Sequence, residues 1–326
     1  MSPLNYFVLG VWHKLKSWTI YDRSDKVFEM SVYRILFVFL SLLFLTQCAT
    51  SGRNKGDINM YSTGQDAKLG AYWASQIPKM MPLLFDERLL DFVNNLGQKI
   101  VHQFPEEERL FDYHFKIVKD PQVNAFALPG GYIFVNLGLL QVVEEEAELA
   151  MVLGHEMGHV VYRHGTEQLT KAQGFSCCLA ITANAVGLGQ IQVELINLFG
   201  QTGLLFYGRK AELESDGFGV ESLHRSHYDL SYAHTFFEKL QKIYKDKPNR
   251  LEKMLSTHPT PDVRIQEVKV AVQKYKADPN PIVSTPSFGE MKKVLQKYPS
   301  KHEQSQLINQ YHAYLKQHGL TPSDVR

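Results

Sequence analysis

The chain has 326 residues, a formal net charge of +1, and ordinary shares of hydrophobic (44%) and charged (21%) residues. A balance so close to neutral gives no reason to expect nucleic acid as a partner. Three cysteines without a CxxC pair exclude a disulfide-dense scaffold and a cysteine-based zinc site. The length is sufficient for a large core packed by apolar side chains alone.

The N-terminal region contains an apolar run at residues 35–45, preceded by Arg34. A membrane-spanning helix needs about 20 residues, so this run is too short and is typical of a secretory signal. The residues that follow resemble a lipoprotein cleavage box ending in Cys48, although Gln47 stands where a small residue is usual. We therefore predict a lipoprotein signal peptide at 30–47 and lipidation of Cys48, with an uncleaved membrane anchor as the alternative.

The residues on either side of this signal are interpreted from their composition. Residues 1–29 form an upstream extension, and the sequence leaves open whether translation starts at Met1 or Met30. Residues 48–58 are mostly small and polar, which predicts a flexible tether. No Asp follows Cys48, and by resemblance to bacterial lipoproteins this favours the periplasmic face of the outer membrane.

The period of the hydrophobic residues predicts an α+β fold that is mostly helical. Helices are predicted at residues 62–77, 86–103, 144–164, 210–224 and 230–245, the third of them ended by Gly165. Strands are predicted at residues 113–118, 125–128 and 132–136, the last two joined by a Pro-Gly-Gly turn.

The second half of the chain contains an apolar segment and a proline-rich stretch. Residues 174–207 are apolar, but Asn, Gln and Glu interrupt every window of membrane-spanning length, which favours buried or substrate-facing helices over a membrane span. We place the main domain at residues 59–275. Prolines then predict a linker to a Lys-rich helical extension at 276–326, namely Pro279, Pro281 and Pro286.

The predicted helix at 144–164 carries an HExxH sequence, His155 to His159. Positions i and i+4 lie on one helical face, so both imidazoles can bind one metal ion. Glu156 follows the first histidine directly, where its carboxylate can reach a metal-bound water without binding the metal. This pattern predicts a metalloprotease site.

A catalytic zinc ion needs a third protein ligand and an open fourth position. The predicted helix at 210–224 offers Glu212 and Asp216, which are four residues apart and share a face. Glu212 is predicted to bind the metal, and Asp216 to accept a hydrogen bond from a ligand imidazole. Glu214 points about 200° away from Glu212 and is expected to be an exposed charge.

Four motifs resemble the zinc peptidases that include HtpX, BepA, LoiP and the CAAX prenyl proteases, and they occur in the order of that family. They are Asn124 to Ile133, Gly154 to His159, Glu212 to Asp216, and Ser256 to Pro261 followed by Arg264. The resemblance covers roughly residues 60–270. It implies a zincin-like core with a small β-sheet beside the HExxH helix, one Zn²⁺ per chain, and Glu212 as the third ligand.

The resemblance also implies a role for His258, which either occupies the open zinc position or lies near the substrate carbonyl. In the implied reaction Glu156 activates the attacking water, with His258 or Arg264 helping to stabilise the oxyanion. The strand at 132–136 is predicted to be an edge strand, so that Tyr132, Ile133, Phe134 and Val135 add substrate by main-chain hydrogen bonds. The implied substrates are unfolded or misassembled envelope proteins.

Two alternatives remain open on sequence grounds. One is a non-proteolytic, zinc-binding envelope factor in which His258 permanently fills the fourth position of the metal. The other is an integral membrane protease with residues 174–207 in the bilayer.

Overall fold

A computed structural model describes Arg53 and residues 57–171, 207–244, 261–299 and 317. The predicted signal peptide at 30–47, Cys48 and His258 lie outside the described residues, as do nearly all of 174–207 and 300–326. Within the described residues, no helix is both long and apolar enough to cross a membrane.

Eight α-helices and three strands have defined bounds in the described residues. The helices are α1 (Thr63–Met80), α2 (Glu87–Val101), α3 (Leu137–Val142), α4 (Glu146–Val161), α5 (Arg209–Arg225), α6 (Thr235–Tyr244), α7 (Pro261–Val272) and α8 (Pro286–Leu295). The strands are β1 (His114–Val118), β2 (Ala125–Leu128) and β3 (Tyr132–Asn136). The predicted fold class is thus confirmed: a mostly helical chain with one small mixed sheet.

The three strands form a sheet in the order β1-β3-β2. β3 pairs in parallel with β1 and antiparallel with β2, so both of its edges are occupied. The prediction that Tyr132–Asn136 is an edge strand is therefore wrong. Four of its five residues are buried, and this run without polar alternation is the signal that would have indicated a central strand.

The hairpin between β2 and β3 turns through Pro129–Gly131, where Gly130 and Gly131 have φ values of 75° and 93°. A side chain is strained in this left-handed region, so glycine is favoured at both positions. α1 packs directly on this turn, and a Cβ atom on Gly70 would lie 1.7 Å from the carbonyl oxygen of Pro129. The turn thus fixes one end of the sheet against α1.

The HExxH helix, α4, is buried along its whole length. It ends at Val161, earlier than the predicted end at His164, because Arg163 adopts a left-handed conformation with φ 59°. The guanidinium of Arg163 holds this turn through a buried ion pair with Asp66 on α1, at 2.6 Å from Nε to Oδ2. A second helical segment, 164–171, begins immediately after the turn.

α5 lies directly against α4 because small residues face each other across the contact. A Cβ atom on Gly158 would lie 2.9 Å from the Cα of Ser215, and one on Gly154 would lie 2.9 Å from the Cβ of Ser222. Larger side chains at these positions would push the helices apart. Gly154 and Gly158 therefore allow the two helices to approach closely.

Residues 276–299 pack into the same hydrophobic core as the catalytic helices, which differs from the linker expected there. Thr285 caps α8 and Pro286 occupies its first turn, a Thr-Pro signal for a helix start. Phe288 and Met291 of α8 are buried, and Phe288 lies 5.9 Å from Phe92 of α2 between ring centroids. Within the described residues, the boundary after residue 275 does not separate two cores.

Candidate metal centre

Three side chains from α4 and α5 bring potential metal ligands together in a buried site: His155, His159 and Glu212. The Nε2 atoms of the two histidines are 3.1 Å apart. The carboxylate oxygens of Glu212 lie 3.7 Å from His155 Nε2 and 3.5 Å from His159 Nε2. The two helices thus direct three ligand atoms to one point.

These distances can be compared with those that zinc requires. A tetrahedral ion with bonds of about 2.0 Å separates its ligand atoms by about 3.3 Å. The observed separations of 3.1, 3.5 and 3.7 Å scatter around this value. Two imidazoles and one carboxylate are also a donor set found in catalytic zinc sites. The residues present therefore fit a zinc ion without rearrangement.

Asp216 lies beside His155, as its shared helical face with Glu212 predicted. Its Oδ1 atom is 2.9 Å from His155 Nδ1, the nitrogen that faces away from Glu212. Burial alone would raise the pKa of Asp216, but the charge and hydrogen bonds of Arg264, together with His155, lower the pKa to about 2. Asp216 is therefore ionised and accepts the Nδ1 proton of His155.

Arg264 of α7 is directed at the two buried carboxylates of α5. Its Nη2 and Nε atoms donate to Asp216 at 2.6 and 2.8 Å, and Nη1 lies 2.9 Å from Glu212. Burial lowers the pKa of Arg264, but the charges of Asp216 and Glu212 outweigh this effect and raise the pKa above its ordinary value. Nη2 of Arg264 also lies 3.5 Å from Nε2 of His155, so the guanidinium reaches the ligand atoms themselves.

Tyr207 completes one wall of the site and was not singled out from the sequence. Its ring stacks on His159 with centroids 3.8 Å apart and an interplanar angle of 18°. Burial, and then the charges of Glu156 and Glu212, raise the pKa of Tyr207 well above its ordinary value. Tyr207 is thus neutral and forms an apolar surface against the ring of His159.

Glu214 does not join the ligand group, but neither is it the isolated exposed charge that the helix phase predicted. Its Oε2 atom lies 3.2 Å from Nε2 of His164, and its side chain is 29% exposed. His164 in turn reaches His159, with 3.1 Å between their Nδ1 atoms. The signal for His164 is a third histidine five residues after the HExxH sequence, at a spacing that no single helical face explains.

A mostly helical fold with a small sheet, and a buried two-histidine, one-glutamate group on adjacent helices, define a metallopeptidase. Residues 91–272, more than half of the chain, match the model for peptidase family M48. The chain belongs to that family.

Individual relatives carry protease names. The chain is 29% identical over 239 residues to the beta-barrel assembly-enhancing protease of Yersinia pestis, covering 70% of this chain and 47% of that protein. It is 34% identical over 179 residues to the mitochondrial metalloendopeptidase OMA1 of Schizosaccharomyces pombe, covering 55% and 51%. It is 29% identical over 187 residues to the metalloprotease LoiP of Escherichia coli, covering 57% and 69%. The chain thus spans about half the length of the first two relatives.

Proposed function

We propose that this metallopeptidase is a zinc-dependent endopeptidase, with one Zn²⁺ per chain bound by His155, His159 and Glu212. The observation that carries the proposal is a buried group in which the two imidazole Nε2 atoms are 3.1 Å apart and each lies 3.5–3.7 Å from an oxygen of the Glu212 carboxylate. Bound zinc lowers the pKa of its water to about 7 and polarises the scissile carbonyl.

Glu156 is the proposed general base. It follows His155 on α4 and is buried, but it is not part of the ligand group. Its carboxylate removes a proton from the water that attacks the peptide carbonyl, and then delivers that proton to the leaving amine. Asp216 and Arg264 support the ligands: Asp216 orients His155, and Arg264 balances the charge of Asp216 and Glu212.

We propose that substrate binds along β2 rather than β3, because β3 is paired on both edges. β2 packs beside α4, and no strand of the described residues pairs with its outer edge. An extended peptide hydrogen-bonded there would pass the HExxH helix, and main-chain recognition would favour unfolded segments. Methylating single peptide nitrogens of a good substrate should lower kcat/KM at alternate positions; uniform tolerance of methylation would exclude this binding mode.

The proposed chemistry is tested by separating metal binding from turnover. Glu156→Gln should retain zinc and lose cleavage of an unfolded casein, because this carboxylate moves a proton and binds no metal. Glu212→Gln should lose most zinc and nearly all activity. The matched control is Glu238→Gln, a partly exposed α6 residue paired with Lys269, which should change neither.

Two results would contradict this proposal. Loss of zinc in Glu156→Gln would show that the ligands are wrongly assigned. A zinc-loaded wild-type protein that cleaves no unfolded polypeptide would favour the non-proteolytic alternative, with His258 filling the fourth metal position. If the enzyme is active, His258→Ala distinguishes an inhibitory histidine, whose loss raises the rate, from an oxyanion helper, whose loss lowers it.

We also propose that the enzyme works in the bacterial envelope, bound to the outer membrane by lipid on Cys48 and facing the periplasm. The signal-like sequence at 30–47 supports this location, as does similarity to a protease named for β-barrel assembly. Its substrates would be unfolded or misassembled envelope proteins. Labelled fatty acid should mark the wild type and not Cys48→Ser; an unlabelled wild type would remove the lipid anchor.

A further inference from the structure

The imidazole of His164 lies between a proposed metal ligand and a carboxylate. Its Nδ1 atom is 3.1 Å from Nδ1 of His159, and its Nε2 atom is 3.2 Å from Oε2 of Glu214. His159 directs its other nitrogen, Nε2, towards His155 and Glu212. His164 therefore contacts the one ring nitrogen of His159 that is not needed for metal binding.

The positions of the ring protons follow from this geometry. A metal on Nε2 of His159 leaves the ring proton on Nδ1, which must donate to an acceptor. His164 can accept only if its own Nδ1 is unprotonated, so its proton lies on Nε2 and is donated to Glu214. The hydroxyl of Ser215 lies farther from this nitrogen, at 3.4 Å, and the single lone pair of the nitrogen is given to His159. One arrangement thus satisfies both nitrogens of His164.

We propose that His164 is a positioning residue that, with Glu214, holds His159 in the tautomer and orientation that the metal requires. The inference rests on the proposed metal ligands. Hydrogen bonds from the far nitrogen of a ligand histidine to a carboxylate or carbonyl fix its tautomer and strengthen metal binding. Here a second imidazole stands between the ligand and the carboxylate.

The fold holds His164 in place through the turn after α4. Arg163 has a left-handed backbone, which is unfavourable for a residue other than glycine. Its buried ion pair with Asp66 offsets this cost and directs the next residue back towards α4. The ring of His164 then stacks on Tyr162, with centroids 5.3 Å apart and an interplanar angle of 3°.

The test must separate hydrogen bonding from ring packing, because His164 does both. His164→Phe keeps a ring on Tyr162 and removes both nitrogens, whereas His164→Asn loses the ring and keeps an acceptor near the Nδ1 position. Zinc affinity is measured by competition with a chromophoric chelator, without substrate. We expect His164→Phe to bind zinc about 10–100-fold more weakly than the wild type, and His164→Asn to recover part of this loss.

The control is His114→Phe, the same change at an exposed histidine of β1 that also stacks on a tyrosine, Tyr132. Its zinc affinity should equal that of the wild type. Wild-type affinity in His164→Phe, or weaker binding by His164→Asn than by His164→Phe, would show that His164 serves packing alone.

If His164→Phe does not fold without metal, the comparison passes to His164→Asn and His164→Gln. The Asn amide replaces the nitrogen that faces His159, and the Gln amide replaces the one that faces Glu214, so Asn should bind zinc more tightly. Equal affinities would overturn the proposal. A wild-type protein that binds no zinc would refute the proposed function itself, which is a different outcome.

Discussion

The two histidines of the HExxH sequence face the same metal position but have different surroundings. His155 contacts Asp216, which is fully buried and paired with Arg264. His159 contacts the ring of His164, which in turn contacts the partly exposed Glu214. The Nδ1 atom of His155 therefore contacts a buried ionic cluster, whereas the Nδ1 atom of His159 contacts a hydrogen-bonded chain that reaches the surface.

The comparison shows which side of the site depends on charge. Attraction between opposite charges strengthens as the surroundings exclude water, and so does the cost of leaving one charge unpaired. Asp216, Glu212 and Arg264 are buried together, so removing one member exposes the others to that cost. Glu214 remains in contact with solvent, where screening weakens its interactions.

The largest expected effect is that of Arg264→Gln, which breaks the ionic cluster on the His155 side. It leaves two buried carboxylates without their cation and should lower the free energy of unfolding by about 3–5 kcal/mol. Urea unfolding of the metal-free protein measures this loss. Added zinc should reduce the loss, because the ion supplies positive charge to the same carboxylates.

The matched control for this change is Arg225→Gln on α5. Arg225 pairs with Glu221 at 2.8 Å, but its side chain is 37% exposed, so its loss should cost less than about 1 kcal/mol. Equal effects of the two substitutions would mean that the His155 side is not stabilised by a buried charge cluster.

The parts of this site that sequence could predict are those set by a single helix. The spacing of His155 and His159, and that of Glu212 and Asp216, place each pair on one face whatever the rest of the fold does. Helical phase also predicted that Glu214 is not a metal ligand, and in the structure Glu214 lies outside the group of three ligands. It could not indicate the contact with His164, because that residue lies beyond the end of α4.

The parts that sequence could not predict depend on contacts between distant residues. Asp66 on α1 decides where α4 ends by pairing with Arg163, 97 residues further on. The strand order depends on β3 entering between β1 and β2, which no local pattern of the hairpin specifies. The contact of α8 with α2 likewise joins residues nearly 200 positions apart, as the Phe92–Phe288 pair shows.

A smaller effect is expected from acid, again on the His155 side. The pKa of Asp216 is about 2 in the folded protein, below the unfolded value of about 3.9. Its contribution, on the order of 2 kcal/mol, is therefore fully present above the unfolded pKa and is lost as the pH falls towards 2. In urea unfolding of metal-free protein, the wild type should lose more stability between pH 5 and pH 3 than Asp216→Asn; parallel curves would contradict the lowered pKa.

The smallest expected effect is that of Glu214→Gln, and it sharpens the comparison when set beside Asp216→Asn. Both changes replace the last carboxylate behind a ligand histidine with an amide of the same shape. Because Glu214 acts through His164 and contacts solvent, zinc affinity should fall less than tenfold, against about 10–100-fold for Asp216→Asn. Stability should change by less than about 1 kcal/mol.

Ionic strength should also affect the zinc affinities of these two variants differently. High ionic strength should reduce the effect of Glu214→Gln, since the side chain of Glu214 is 29% exposed and its neighbour Lys210 is 66% exposed, whereas the buried Asp216 should be insensitive. Chelator competition at low and high salt measures both affinities. If Glu214→Gln loses more zinc than Asp216→Asn, the chain through His164 is the stronger support, and the buried ionic cluster serves the fold more than the metal.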